Sequence, residues 1–411
     1  MKFKTLAAAS ALAFTLAPTG AAEAQLPTCG AFWCSAVNYD VGVEPASVVA
    51  GDFDGDRLAD LAVTSSSPDK VGILLNEGGG LLADPVNVEL AAGSGPHSLA
   101  VADFNNDGDL DLIVTRHNEN DVQILINTSG AFSLGTITSV DGTDPRQVVA
   151  GDLDNNGFVD VVTVNRGSDS ISVLFNSGGV LAAAMTYPVG ADPRGLALGY
   201  LDKNAGLDLA VSSHGEREIE LLLNDGSGIF RADPALAVGT ELRPEAVAIG
   251  DLDADGDYDI AASTSGAAGS YATVFLNSGS ATFGAPSHHD SGGIDPSHLV
   301  IADFELALGN DIAVAHGDWP DPLGVGSETP NVAVLRNLGG ASFGSPRRQK
   351  VGAVPESLAA FDLVGNGAFH LVSANRDEGT ISVLKNNYVI LASGFEWGDT
   401  YPWSRTVPEI P

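Results

Sequence analysis

The chain has 411 residues, and its 53 aspartates and glutamates against 19 lysines and arginines give a formal net charge of −34 at pH 7. A surface this acidic would repel the phosphates of DNA and RNA, which argues against a nucleic-acid partner. The same charge suits a protein that carries several divalent cations, because the cations would offset part of it.

The first 24 residues have the pattern of a secretory signal peptide. Lys2 and Lys4 form a basic start, an apolar stretch follows over residues 6–16, and Ala22 and Ala24 form a small-x-small cleavage site. The apolar stretch is too short for a transmembrane anchor, and no later stretch could span a bilayer. We therefore expect cleavage after Ala24 and a protein that is secreted, periplasmic or at the cell surface, without a transmembrane segment.

Residues 25–36 form a short N-terminal segment that holds both cysteines of the chain, Cys29 and Cys34. In an oxidising compartment, two cysteines this close predict a local disulfide that fixes the new N-terminus. A metal or redox site is the alternative, but the segment offers no further ligands for one.

A repeat of roughly fifty residues occupies nearly all of the remaining chain. Each copy places a proline seven residues before the start of a polar loop. The prolines are Pro45, Pro96, Pro145, Pro193, Pro244, Pro296 and Pro355. The loops start at Asp52, Asp103, Asp152, Tyr200, Asp251, Asp303 and Asp362. An asparagine lies 24 residues after the loop start in five copies, 26 after it in the fifth and 34 after it in the sixth, where the extra residues indicate an insertion. These residues are Asn76, Asn127, Asn176, Asn224, Asn277, Asn337 and Asn386.

Each copy has the pattern of four short strands. In the first copy, apolar and β-branched runs cover residues 47–50 before the loop, 60–63 after it, 71–75 up to the asparagine, and 86–90. Glycine, asparagine, aspartate and proline separate these runs. No 3.6-residue apolar stripe is sustained after the signal peptide, so we expect few helices.

Seven units of four strands predict an all-β fold, a seven-bladed β-propeller over residues 37–388. The last copy stops after its third strand at residues 381–384, and residues 37–41 have the pattern of an unattached fourth strand. Joining the two would complete the last blade and remove an open sheet edge. The alternative, an open solenoid, would need capping units that the sequence lacks. Residues 389–411 form a C-terminal tail outside the repeat.

Four of the loops have the spacing of a calcium site. Calcium takes roughly six to eight oxygen ligands, which carboxylates or amides at loop positions 1, 3, 5 and 9 and a carbonyl at position 7 can supply. Position 6 needs a sharp turn, so Arg57 at that place predicts a weaker first site. No histidine or cysteine occurs in these sets, which argues against zinc. The sets are Asp52, Asp54, Asp56 and Asp60; Asp103, Asn105, Asp107 and Asp111; Asp152, Asp154, Asn156 and Asp160; and Asp251, Asp253, Asp255 and Asp259.

The other three loops have lost part of the pattern. Tyr200 replaces the first acid of the fourth loop, and Val364 and His370 interrupt the seventh, which we expect packing alone to hold. The residues that remain in the fourth and sixth loops predict weaker metal sites: Asp202, Asn204 and Asp208, and Asp303, Glu305 and Asp311.

The acidic loop, the strand after it and the asparagine-glycine turn together resemble the FG-GAP/VCBS repeat. The resemblance covers about residues 37–388, although its Phe-Gly signature is patchy and occurs at Phe283-Gly284 and Phe343-Gly344. The family includes the calcium-bearing propeller of integrin α subunits and many secreted bacterial proteins. The resemblance implies that the loops bind Ca²⁺ and stiffen the blades, and that a ligand meets the opposite face.

That opposite face would be built from the proline loops and the turns between second and third strands. The functional interpretation is a ring of donors for carboxylated or sulfated glycans, or for acidic side chains. The alternative is that these polar residues only bridge neighbouring blades, and Trp319 either stacks on a sugar or packs under its own loop. The candidates are Arg116, His117, Arg146, Arg166, Arg194, His214, His316, Trp319 and Arg376.

These patterns predict a secreted or surface-attached, calcium-binding propeller, monomeric, that acts as a non-catalytic binding or adhesion module for an extracellular glycan or protein. A carbohydrate-active hydrolase or lyase on a propeller scaffold is the alternative, and a structural surface-layer component is a third. No Gly-x-Ser-x-Gly or His-Glu-x-x-His motif supports catalysis. Burial of His117, His214 or His316 beside a carboxylate with a shifted pKa would favour an enzyme.

Overall fold

The computed structural model describes residues 33–305, 309–317 and 331–386. These residues form seven four-stranded sheets in which all paired strands are antiparallel, so the predicted all-β, seven-bladed β-propeller is confirmed. The signal peptide, Cys29, Trp319 and the tail at 389–411 lie outside the described residues, and the predictions about them, including the Cys29–Cys34 disulfide, stay predictions.

The strands follow the repeat in chain order, and blades are numbered by the loop they contain. Blade 1 consists of β2 (Val48–Gly51), β3 (Asp60–Ser66), β4 (Asp69–Leu74) and β5 (Val86–Glu89). Blade 2 consists of β6 (Pro96–Ala102), β7 (Asp111–Arg116), β8 (Asp121–Thr128) and β9 (Ala131–Ser139). Blade 3 consists of β10 (Pro145–Gly151), β11 (Asp160–Asn165), β12 (Ser170–Leu174) and β13 (Met185–Pro188). Blades 4 and 5 consist of β14 (Pro193–Gly199), β15 (Asp208–Ser213), β16 (Glu218–Asn224) and β17 (Phe230–Ala237); and β18 (Arg243–Gly250), β19 (Asp259–Gly266), β20 (Gly269–Phe275) and β21 (Ser287–Asp290). Blades 6 and 7 consist of β22 (Pro296–Ala302), β23 (Asp311–His316), β24 (Asn331–Leu335) and β25 (Arg347–Lys350); and β26 (Pro355–Phe361), β27 (His370–Asn375), β28 (Thr380–Leu384) and β1 (Val37–Asp40).

The only helical element among the described residues is a short 3-10 helix, η1 (Arg166–Ser168). No helix in the described chain is long and apolar enough to cross a membrane.

The blades close into a ring. The first strand of each blade packs against the first strands of both neighbours, and β26 of blade 7 packs against β2 of blade 1. Strand β1 pairs antiparallel with β28, with Val37 opposite Val383 and Asp40 opposite Thr380. Blade 7 is therefore assembled from both ends of the described chain, and its outer position is filled by the first strand.

The hydrophobic core lies between neighbouring blades. Seven apolar clusters occur, and each joins two neighbouring blades. The second and third strands are buried on both faces, as in β11 and β12, so that polar side chains such as Thr163 and Ser172 are buried together with the apolar ones. The outer strands alternate between exposed and partly buried residues, as in β13, because only one of their faces meets a neighbouring blade.

The two ends of the ring differ in the loops they carry. The polar loops join first and second strands and lie at the same end as the turns between third and fourth strands; we call this end the loop face. The proline segments and the turns between second and third strands form the other end, which we call the proline face. The polar loops are numbered 1 to 7 by blade, with positions counted from the loop starts given above.

Candidate metal loops and the proline face

Loop 3 shows how the backbone orients the acidic side chains. Asp152 at position 1 accepts hydrogen bonds from the backbone N–H groups of Asn156 (3.1 Å) and Gly157 (2.9 Å). Asp154 at position 3 also accepts a bond from the N–H of Asn156, at 3.1 Å. These local bonds draw the carboxylates to the inside of the turn. In loops 1, 2 and 5 the first acid is held in the same way, by the N–H groups of Arg57, Gly108 and Gly256.

Three loops bring carboxylates close together. In each of them, one oxygen from each of three side chains lies within 4.8 Å of the other two. The groups are Asp52, Asp54 and Asp60 in loop 1; Asp152, Asp154 and Asp160 in loop 3; and Asp251, Asp253 and Asp255 in loop 5. A donor set made only of oxygens fits the coordination preference of Ca²⁺.

Loop 2 has a different donor set at position 3, where Asn105 stands in place of aspartate. Its Nδ2 donates a hydrogen bond to Asp107 at 2.9 Å, while Asp103 accepts N–H groups as in the other loops. The predicted residues at position 5 also serve the turn. Asp56, Asp107, Asn156 and Asp255 each accept the N–H of the residue two places ahead.

The aspartate at position 9 is a buried structural residue as well as a candidate ligand. Asp160 is fully buried, and its carboxylate accepts the backbone N–H groups of Leu153 (2.8 Å) and Asn176 (2.7 Å). Burial raises the pKa of Asp160 to about 6, the two hydrogen bonds oppose this, and the neighbouring Asp154 and Asp152 raise it further. A cation at the loop would favour the ionised form. The equivalent residues Asp60, Asp111, Asp208, Asp259 and Asp311 accept the same two N–H groups.

The recurring asparagine ties each blade to the one before it. The Nδ2 group of Asn176 in blade 3 donates to the carbonyl of Phe104 in loop 2 at 2.8 Å and to that of Val159 in its own loop at 2.9 Å. Its Oδ1 accepts the N–H of Gly179 at 2.9 Å, so the buried amide is fully used. The bond to the preceding blade recurs at Asn76, Asn127, Asn224, Asn277, Asn337 and Asn386. In the sequence these asparagines mark the period of the repeat but do not indicate their partners.

Two positions of the loop take the left-handed backbone conformation. Position 4 does so in Asn106 and Asn155, both with φ 58°, and in Ala254 with φ 65°. Position 6 is Gly108, Gly157 or Gly256 in three loops, but in loop 1 it is Arg57 with φ 72°. A non-glycine residue in this region costs about 1 kcal/mol, which is a physical reason for the predicted weakness of loop 1.

Loops 4 and 6 contain internal partners for their acidic groups. In loop 4, the Nδ2 of Asn204 donates to Asp202 at 2.9 Å. In loop 6, Glu305 forms ion pairs with Arg336 and, at 3.4 Å, with Arg347. The positive charge of the two guanidinium groups already neutralises Glu305, so Glu305 is not among the proposed calcium ligands.

Loop 7 keeps the turn although it has lost the acids at positions 3 and 9. Asp362 still accepts the N–H groups of Asn366 (3.1 Å) and Gly367 (2.6 Å). His370 at position 9 is buried and its Nδ1 lies 2.9 Å from the carbonyl oxygen of Ala368. The expectation that packing alone holds this loop was therefore wrong, because the hydrogen-bonded turn survives although two of the four ligand positions are lost.

On the proline face, arginines predicted to meet a ligand are paired with acids. Arg166 of blade 3 contacts Asp192 at the start of blade 4 at 2.6 Å, and Arg194 contacts both Asp192 (2.9 Å) and Glu245 of blade 5 (2.5 Å). Burial would raise the pKa of Asp192, but the hydrogen bonds from the two arginines outweigh it and lower that pKa. These pairs support the interpretation that the arginines bridge blades. The sequence pattern alone did not indicate Asp192 and Glu245.

The remaining arginine candidates differ in their exposure. Arg116 is buried and forms two hydrogen bonds of 2.7 Å with Asp121 inside blade 2, so it does not reach the surface. Arg146 lies 2.7 Å from Asp144, and Arg376 pairs with Glu356 but keeps 46% of its side chain exposed.

The histidine candidates are also engaged within the protein. His214 places one ring nitrogen 3.1 Å from Asp192 and the other 3.1 Å from Glu245. His117 lies 3.3 Å from Asp144, and burial together with the nearby Arg146 lowers its pKa. His316 is buried, and burial lowers its pKa to about 4.

A closed ring of seven four-stranded blades with acidic loops on one face defines the class of this protein as a β-propeller with repeated acidic loops. Residues 52–114 and 103–163 match the FG-GAP-like repeat, so the chain contains repeats of this family, as the resemblance predicted. No curated protein matches the sequence.

Several solved structures share the fold. One is BBS1N in complex with ARL6DN, at 14% identity and a TM-score of 0.57, with 86% of this chain and 96% of that chain covered. A protein from Lactobacillus plantarum has 16% identity and a TM-score of 0.53, with 75% and 85% covered. A protein of Bacteroides uniformis, provisionally named a 6-phosphogluconolactonase, has 13% identity and a TM-score of 0.53, with 84% and 95% covered. At these identities the similarity concerns the fold alone.

Proposed function

We propose that this protein is an exported, calcium-stabilised propeller that acts as a non-catalytic binding module. The observation that carries the proposal is the convergence of three carboxylates to within 4.8 Å in each of loops 1, 3 and 5. The backbone holds the first acid of each loop in place through two N–H groups, so the donor set is largely pre-formed. Loop 2 completes the proposed set of four sites with Asp103, Asn105, Asp107 and Asp111.

Calcium would stabilise the loop face by neutralising acids that otherwise repel one another. Part of each cage would come from the carbonyl at position 7, as the loop spacing predicts. Sites of this type in extracellular modules bind calcium with dissociation constants of roughly 0.1–1 mM, which suits the export that the N-terminal segment predicts.

We assign ligand binding to the proline face, since the loop face is committed to the metal loops. Arg166 is 40% exposed and uses only its Nε for the ion pair with Asp192, and Arg376 is also partly exposed. Their remaining N–H groups are suited to carboxylate or sulfate groups, carried by a glycan or by acidic side chains of a protein. Both ring nitrogens of His214 already face carboxylates, so this histidine connects blades 4 and 5.

The test is binding of the mature chain to an array of neutral and anionic glycans, with calcium and then with chelator. We expect binding to anionic glycans that requires calcium and is weakened by Arg166→Ala. Arg231→Ala, in the outer strand β17 and 66% exposed, is the control and should bind as the unmodified chain does. Absence of binding in both conditions would refute the glycan ligand and leave an acidic protein surface as the partner to test.

A further inference from the structure

Hydrogen bonds connect the metal loops of neighbouring blades. The residue at position 2 is buried in every loop, and its carbonyl accepts the asparagine of the next blade, as Phe53 does from Asn127 (2.8 Å) and Phe104 from Asn176 (2.8 Å). A change in the conformation of one loop therefore alters the partner of the next blade's asparagine.

The connection continues inside the next blade to a candidate ligand. The backbone N–H of Asn176 donates to Asp160 at 2.7 Å, and Asp160 also accepts the N–H of Leu153 at position 2 of its own loop. The carbonyl of Leu153 then accepts Asn224 of blade 4 at 2.8 Å. The hydrogen bonds thus connect the position-2 carbonyl of one loop to the asparagine of the next blade, that asparagine to the position-9 aspartate, and the aspartate to position 2 of its own loop. We call this the series of hydrogen bonds, and all of these residues are buried.

Loops 2 and 3 also share a direct bond at the surface. The Nδ2 of Asn106, at position 4 of loop 2, donates to the carbonyl of Gly157, at position 6 of loop 3, at 3.1 Å. Gly157 is also the residue whose N–H holds Asp152. Ordering of loop 3 around a cation therefore positions the acceptor that holds loop 2.

Loop 5 is separated from the other complete loops by loops that carry substituted ligands. On one side stands loop 4, where Tyr200 takes the first position and Asn204 donates to Asp202. On the other side stands loop 6, where Arg336 and Arg347 pair with Glu305. The series of hydrogen bonds itself continues through blades 4 and 6, so what loop 5 lacks is an adjacent loop with a complete ligand set. In loop 7, His370 replaces the carboxylate that links asparagine to loop, so the series is interrupted there, before loop 1.

We propose that loops 1, 2 and 3 bind calcium as one coupled group and that loop 5 binds it independently. The proposal rests on the proposed function, since it needs these loops to bind calcium. Binding in one loop of the group orders the peptide at position 2, which reduces the conformational freedom that the neighbouring loop has left to lose. The recurring asparagines and Asn106 are positioning residues, and the coupling acts equally in both directions.

The test uses two variants at equivalent places. Asn106→Gly removes the bond between loops 2 and 3, and glycine accepts the left-handed φ of 58° at that position. Asn155→Gly is the matched control. Asn155 has the same loop position and φ, but its Nδ2 donates to Gly226 of blade 4 at 2.8 Å, and the loop of that blade lacks a complete ligand set. Asp253→Asn reports on loop 5 alone.

Calcium binding to the mature chain is measured by titration calorimetry. The unmodified chain should show a steep cooperative phase and a separate independent site. Asn106→Gly should flatten the cooperative phase and weaken its binding by about fivefold or more, whereas Asn155→Gly should leave it unchanged. Asp253→Asn should remove the independent site alone. Independent sites throughout, or identical isotherms for the two asparagine variants, would overturn the coupling while leaving the proposed function intact; no calcium binding would refute the proposed function itself.

Discussion

Replacing Asn176 by alanine tests whether the recurring asparagine holds neighbouring blades together without any metal. Its side chain is buried and makes three hydrogen bonds, two donated to the carbonyls of Phe104 and Val159 and one accepted from Gly179. The amide has no charge and does not titrate, and its three hydrogen bonds form without a metal.

The magnitude follows from these contacts. Each neutral hydrogen bond contributes about 1 kcal/mol to stability, and a buried donor left unsatisfied costs about 1–3 kcal/mol. In Asn176→Ala the N–H of Gly179 loses its partner and two carbonyls lose a donor. We therefore expect the free energy of unfolding to fall by about 3 kcal/mol.

The assay is denaturant unfolding in excess chelator, so that metal binding makes no contribution. Asn118→Ala is the control, because Asn118 is exposed and donates a single bond, to the carbonyl of Gly93 at 3.0 Å; it should cost less than about 0.5 kcal/mol. Hydrogen exchange should also rise at the interface of blades 2 and 3 in Asn176→Ala. An equal, small loss in both variants would refute the inter-blade role of the asparagines.

Three further predictions concern single side chains. Arg57→Gly should raise the free energy of unfolding in chelator by about 1 kcal/mol, since glycine adopts the φ of 72° without strain; an unchanged or lower value would contradict the strain. Arg194→Ala should lower stability by about 1–2 kcal/mol in low salt because it removes the charged hydrogen bond to Glu245 of the next blade. Arg231→Ala, at a side chain that is 66% exposed, should lower stability by less than about 0.5 kcal/mol, and equal losses would argue against bridging. Burial lowers the pKa of His316 to about 4, whereas its value in the unfolded chain is about 6.5. The unfolded chain therefore binds more protons between these two values, so the free energy of unfolding falls as pH drops from 6.5 towards 4. His316→Gln should reduce that fall by up to about 3 kcal/mol in urea titrations across this range, and parallel pH profiles would show that His316 does not contribute.

The repeat spacing predicted the fold because it reflects the geometry of one blade. Each proline begins or adjoins a first strand and each loop links it to the second, so counting them counts blades. The strand boundaries were close, with β5 at Val86–Glu89 where the pattern placed 86–90. Strand β3 extends to Ser66 instead of ending at 63, because the polar residues Thr64, Ser65 and Ser66 continue the pairing with β4.

The contacts between blades could not be predicted from the spacing. Asn176 and its acceptor Phe104 are 72 residues apart, and the sequence contains no pattern that specifies this partner. Arg194 and Glu245 are 51 residues apart, and their pairing depends on how far the two side chains extend across the proline face. The sequence also did not predict the left-handed backbone at loop position 4. Asparagine at that position would indicate it, but loop 5 has Ala254 there.

The central claim, that calcium stabilises this propeller through its acidic loops, is tested most directly by thermal unfolding of the mature chain across a range of free calcium. Ligand that binds only the folded state stabilises it by about 2.7 kcal/mol per site when its concentration is 100 times the dissociation constant. We predict that the midpoint rises steadily with calcium and that Asp152→Asn, which alters one cluster, reduces the rise. A midpoint that is the same in calcium and in chelator would contradict the account.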